Sequence, residues 1–119
     1  MIISTEELKK LIDEKKNFVL IDVRRDDELH YGMIPTARHI PLHEIEEAFD
    51  LSEKGFREKY GFTKPTKKKL IVAYCRSGGR SNTAMELLAR RGFMVKNYKG
   101  SVGEWSKIDP HVKAYGWFG

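Results

Sequence analysis

The run Leu70-Ile71-Val72-Ala73-Tyr74 leads directly into Cys75, and this junction constrains the chain more than any other stretch. Its apolar residues, with β-branched and aromatic members, are the pattern of a short buried strand. Good helix formers follow from Asn82 to Arg91, with Ala84, Leu87, Leu88 and Arg91 at helical spacing and Gly92 as the C-cap. Between the two, Ser77, Gly78 and Gly79 favour a tight turn that lets backbone N–H groups converge, with Gly79 expected at φ > 0. A thiol in this place faces unpaired amides, the positive end of a helix dipole and the guanidinium groups of Arg76 and Arg80. All three favour thiolate, and such surroundings bring a cysteine pKa from about 8.5 into the range of roughly 3.5–7.5.

A lone free cysteine is more often a small core hydrophobe. A core cysteine, however, has no need of two glycines and two arginines immediately after it. Cys75 is therefore read as a nucleophile that attacks or carries an anionic group. Arg80 is the next candidate, because the first turn of a helix is a poor place for a cation unless it has a task. Arg76 is placed to attract an anion, while Ser77, Gly78, Gly79 and Ser81 would act through their amides.

Strand and helix patterns alternate along the rest of the chain. Ile2-Ile3 reads as a short first strand, and Ser4 with Glu7 as a capping box for a helix from Thr5 to about Lys15. Phe18 to Val23 is nearly continuous in apolar residues, as in a central parallel strand covered on both faces, with Asp22 near its C-terminal end. Arg38-His39-Ile40 reads as another short strand, Leu42 to Phe49 and Ser52 to Tyr60 as helices, the second ended by Gly61. Met94 to Tyr98 is a strand, and Gly100 to Lys107 a loop or short helix. This alternation predicts an α/β fold, a parallel sheet with helices on both faces. Ligands bind such sheets beyond the carboxyl ends of the strands, where the Cys75 loop falls.

At 119 residues the chain is one domain, with residues 1–108 as its body and 109–119 as a tail. The tail carries Tyr115, Trp117 and Phe118, which either dock or remain free. The single cysteine excludes an intrachain disulfide and suits a reducing compartment. No segment approaches the roughly 18 apolar residues of a membrane helix, so no membrane association is expected. The first residues enter structure at once without a signal-peptide pattern, which makes cytoplasm the default and the mitochondrion the alternative if a transit peptide has been removed. A net charge of +5 suits small anions. Lys67-Lys68-Lys69 reads as a solvated loop without interleaved aromatics, so nucleic acid is not an expected partner. His30, His39, His43 and His111 form no ligand pattern, and no metal is expected. Asp22 and Arg24 read as an ion pair at the sheet end, and Trp105 as core or pocket wall.

Four segments in order resemble the rhodanese family, and more narrowly its single-domain thiosulfate sulfurtransferases. Ile21-Asp22-Val23-Arg24 with Glu28 is similar to the family's Asp-Val-Arg…Glu element. Gly32 to Pro41 is similar to its Gly-His-Ile-Pro-Gly-Ala-x-x-Ile-Pro segment, with Met33 and Thr36 in place of His and the second Gly. Cys75 to Ser81 resembles the Cys-x-x-Gly-x-Arg-Ser loop, and Lys99 to Trp105 the closing Gly-Gly…Trp segment, with Ser101 in place of the second Gly. The stretch Phe49 to Gly61 further resembles the eukaryotic branch that includes thiosulfate:glutathione sulfurtransferases.

The resemblance implies a single rhodanese-like domain with a five-stranded parallel sheet, and a double displacement in which Cys75 takes a sulfur from a donor such as thiosulfate. A thiol acceptor such as glutathione or thioredoxin, or cyanide, would then remove it, and no cofactor is implied. Two other classes share such a fold. Cysteine-dependent phosphatases and arsenate reductases carry five residues between Cys and Arg, whereas four separate Cys75 from Arg80. A non-catalytic interaction module could lose the cysteine or the glycines and keep its core, and this chain has both.

Overall fold

The computed structural model describes residues 1–116, so Trp117, Phe118 and Gly119 lie outside the described residues. Helix α1 (Thr5–Asp13) starts where expected, because Ser4 and Glu7 satisfy each other's backbone N–H groups in a capping box. Strand β1 (Phe18–Asp22) pairs in parallel with β2 (Arg38–His39) on one side and β3 (Leu70–Tyr74) on the other. Beyond β3 lies β4 (Met94–Asn97), giving the order β2-β1-β3-β4, all parallel. The two strands with continuous apolar sequence are thus the two central ones.

Among the described residues the expected fifth strand does not form. Ile2 forms only an isolated parallel bridge to Asn97, and the Ser4 cap turns the chain into α1 before a ladder can grow. The segment after Pro41 also differs in detail. It opens as a 3-10 turn over Leu42–Glu44 and becomes α-helical only in α2 (Ile45–Asp50). Helix α3 (Glu53–Tyr60) is capped by Ser52 and stopped by Gly61 at φ 78. Helix α4 (Gly79–Arg90) begins three residues before the expected Asn82, so the glycine turn itself forms its first residues. Helix α5 (Ser101–Trp105) closes the chain of elements.

The period of two along the central strands sorts their side chains into two cores. Ile21, Ile71, Ala73 and Cys75 face one side, against Ala48 and Phe49 of α2, Phe56 of α3 and Leu88 of α4. Leu20, Val72 and Tyr74 face the other, against Leu8 of α1 and Val102 and Trp105 of α5. Every carboxyl end of the sheet points the same way, so the β1 and β3 ends deliver Asp22, Arg24 and Cys75 to one rim. Among the described residues no helix is long and apolar enough to cross a membrane.

Thr36 is exposed and sits at φ 73, a left-handed conformation, where the motif otherwise carries glycine. That backbone costs a residue with a Cβ about 1–2 kcal/mol, while glycine gives back roughly 0.5–1 in chain entropy. Thr36→Gly is therefore expected to stabilise the fold by roughly 0.5–1 kcal/mol, seen as a higher thermal midpoint. A lower midpoint would show that the threonine side chain contributes more than its backbone strain costs.

Candidate active site

Cys75 follows β3 at the centre of the sheet and is 1% exposed. Its loop is pinned from behind by the closing segment. The Cys75 N–H donates to Ser101 Oγ at 3.1 Å, while the N–H groups of Val102 and Gly103 donate to the carbonyls of Cys75 and Arg76. Ser101 adopts φ 53 and donates its own hydroxyl to the Tyr98 carbonyl at 2.8 Å. The serine that replaces the second closing glycine therefore holds the backbone of the nucleophile.

The turn itself is made by Gly78, not Gly79. Gly78 has φ 99, and a Cβ there would lie 2.5 Å from the Lys99 carbonyl oxygen, whereas Gly79 is helical with open space around it. The left-handed bend at Gly78 turns its N–H back onto Cys75 Sγ at 3.1 Å. Burial pushes the Cys75 thiol up, but hydrogen bonds from the Ser81 hydroxyl and from the amides of Ser81, Gly78 and Ser77 outweigh it and hold the thiol below its ordinary value.

Ser81 has one hydroxyl proton and two acceptors, Cys75 Sγ at 3.4 Å and Asn97 Oδ1 at 2.6 Å. Asn97 Nδ2 donates to the Gly78 carbonyl at 3.2 Å, which fixes the amide so that Oδ1 faces Ser81. A hydroxyl bond to the thiolate is thus drawn away from Asn97. Alkylation of Cys75 by iodoacetamide is expected to rise with pH to a plateau as thiolate forms, with a midpoint below the thiol value of about 8.5. Ser81→Ala should raise that midpoint, since the Ser81 hydroxyl is the strongest single contact opposing burial. A wild-type midpoint at or above the thiol value would mean that the loop does not stabilise the anion.

The two arginines take different partners. Arg80 donates through both terminal nitrogens to Glu28, with Nη2 to Oε2 at 2.8 Å. Burial pushes the Glu28 carboxyl up, but the bonds from Arg80, Tyr115 and the Arg25 amide prevail and bring it down to about 2. Arg80 is thus an oriented, paired cation rather than a free charge. Arg76 donates to the Tyr115 carbonyl at 3.3 Å. Ser77 is exposed at the rim.

Asp22 and Arg24 form the expected ion pair, both fully buried, with Arg24 Nη2 2.7 Å from Asp22 Oδ2. Arg24 also donates to the Glu28 and Gly32 carbonyls, so it shapes the loop that presents Glu28. Among the described residues no cluster of His, Cys, Asp and Glu can hold a metal ion.

The loop therefore brings Cys75, Ser77, Gly78 and Ser81 together around one sulfur position and holds Arg80 beside it through Glu28. Sequence reasoning placed Glu28 only within a motif, and gave no role to Ser101, Asn97 or Tyr115. The only signal for Glu28 was its spacing of four residues from Arg24.

Known proteins resemble this chain in sequence and in fold. The chain is 48% identical over 92 residues to a putative mitochondrial thiosulfate sulfurtransferase of Schizosaccharomyces pombe, covering 76% of this chain and 65% of that relative's length. It is 32% identical over 105 residues to the human thiosulfate:glutathione sulfurtransferase, covering 87% of this chain and 90% of the human one. The solved structure of a human single-domain sulfurtransferase superposes with a TM-score of 0.86 at 31% identity, covering 91% of this chain and 96% of that one. The rhodanese-like domain description matches residues 4–108. The protein belongs to the rhodanese-like domain family.

Proposed function

We propose that this protein is a rhodanese-type sulfurtransferase that moves a sulfane sulfur from thiosulfate, through a persulfide on Cys75, to a small thiol such as glutathione. The observation that carries this is the buried Cys75 sulfur, met at 3.1 Å by the Gly78 N–H in a turn whose amides favour the thiolate. In the first step the Cys75 thiolate attacks the outer sulfur of thiosulfate. A new S–S bond forms to Cys75, the sulfur–sulfur bond of the donor breaks, and sulfite leaves with its electron pair. The persulfide's terminal sulfur then carries the negative charge, and the amides of Ser77, Gly78 and Ser81, which favour the Cys75 thiolate, would stabilise it in turn. In the second step an acceptor thiolate attacks that terminal sulfur, becomes a persulfide itself and returns Cys75 as thiolate.

Arg80 and Arg76 favour approach of the donor dianion, with Arg80 fixed in direction by Glu28. The short spacing of four residues between Cys75 and Arg80 supports sulfur over a tetrahedral oxyanion, as does a guanidinium already engaged by a carboxylate. Steady-state kinetics with thiosulfate and glutathione test this reading. Parallel double-reciprocal lines, with sulfite released before the acceptor is added, are the expected result. Intersecting lines, or turnover of an aryl phosphate in place of sulfur transfer, would overturn it.

A further inference from the structure

The C-terminal segment after the matched family region is built into the mouth of the site. The backbone at His111 and Val112 crosses Gly32 so closely that a Cβ on Gly32 would lie 2.1 Å from the His111 carbonyl oxygen. Val112 is buried in the core, and the Lys113 N–H donates to the Tyr31 carbonyl at 2.9 Å. These contacts deliver Tyr115, whose ring stacks on Tyr31 at 4.0 Å between centroids and 3° between planes.

Tyr115 then connects both arginines of the loop. Its hydroxyl donates to Glu28 Oε2 at 2.7 Å, the same oxygen that receives Arg80 Nη2, and accepts from Arg24 Nη1 at 3.2 Å. Its carbonyl accepts from Arg76, whose guanidinium also lies 6.0 Å over its ring. Burial pushes the Tyr115 hydroxyl up to about 12, Arg24 opposing and Glu28 adding to the effect, so it remains a donor at neutral pH.

We infer that Tyr115 is a positioning and specificity-determining residue, which clamps Arg76 and the Glu28–Arg80 pair across the entrance and restricts Cys75 to narrow reactants. This rests on the proposed transfer reaction for its kinetic consequence and on the geometry alone for its steric one. Thiosulfate offers a bare terminal sulfur and glutathione an unbranched one, whereas a bulky group at the reacting sulfur would meet the Tyr115 ring held against Tyr31 and Arg76.

Two variants separate these effects. Tyr115→Ala removes the ring and the clamp, while Tyr115→Phe keeps the stacking and deletes only the bonds to Glu28 and Arg24. In Tyr115→Ala, the rate of alkylation by a neutral N-arylmaleimide relative to that by iodoacetamide is expected to rise at least about fivefold, because the obstruction selects by size. In Tyr115→Phe, KM for thiosulfate should rise about fivefold with kcat nearly unmoved, as expected when one charge-assisted hydrogen bond that orients a binding group is lost. If Tyr115→Ala does not fold, Tyr115→Phe decides alone. An unchanged reagent ratio in the first variant, or an unchanged KM in the second, overturns the assignment. A shifted reagent ratio in a protein inert toward thiosulfate would reject the transfer reaction and keep the gate.

Discussion

Cys75→Ser is expected to lower sulfur transfer by at least about a thousandfold, since loss of a covalent nucleophile removes the whole reaction path. The change is small in the fold. Serine Oγ would occupy nearly the same buried space, accept the Gly78 N–H and face the Ser81 hydroxyl. It is not ionised at neutral pH and forms no stable analogue of the persulfide. The thermal midpoint should therefore move little while activity disappears. Residual turnover within about tenfold of wild type would reject Cys75 as the sulfur carrier.

Gly78→Ala is expected to cost both stability and activity. At φ 99 a Cβ carries about 1–2 kcal/mol of backbone strain. The same Cβ would lie 2.5 Å from the Lys99 carbonyl oxygen, a rigid main-chain neighbour. Relief requires the loop to move away from the Lys99–Ser101 segment, at a further 1–3 kcal/mol by the usual scale of overpacking, which is about 2–5 kcal/mol in all. That movement also withdraws the N–H that meets Cys75 Sγ, so the alkylation midpoint should rise and transfer should fall. Gly79→Ala supplies the contrast. Its Cβ meets open space in a helical conformation, and alanine is favoured over glycine in a helix by up to about 1 kcal/mol, so its stability should hold or increase. Denaturant unfolding of the two variants side by side checks this, and equal destabilisation would show that the turn does not depend on Gly78.

What the sequence disclosed and what it withheld divide along the range of the interactions. Helix α1 was legible because Ser4 and Glu7 are three residues apart and satisfy each other's amides. Strand β3 was legible because its apolar residues end sharply at Cys75. The parallel α/β architecture followed from strands buried on both faces. The missing fifth strand was not legible, since a bridge of one residue pair depends on where Asn97 lies after folding. Two adjacent glycines do not say which one bends left, and the Lys99 carbonyl that decides it lies far along the chain, beyond helix α4 and strand β4. Glu28 meets Arg80 across 52 positions and Tyr115 across 87, so neither pair leaves any local pattern. Thr36 and Ser101 both hold left-handed backbone where glycine would be expected, one at an exposed turn and the other paired through its hydroxyl.

The intact mass of the protein after incubation with thiosulfate and removal of excess reagent tests the persulfide directly. With a single cysteine in the chain, the added sulfur has one place to reside. A gain of one sulfur atom, matched by one equivalent of sulfite, lost again on addition of glutathione and absent in Cys75→Ser, is the expected result. An unchanged mass from protein whose Cys75 remains free to alkylate would contradict sulfur transfer through this residue.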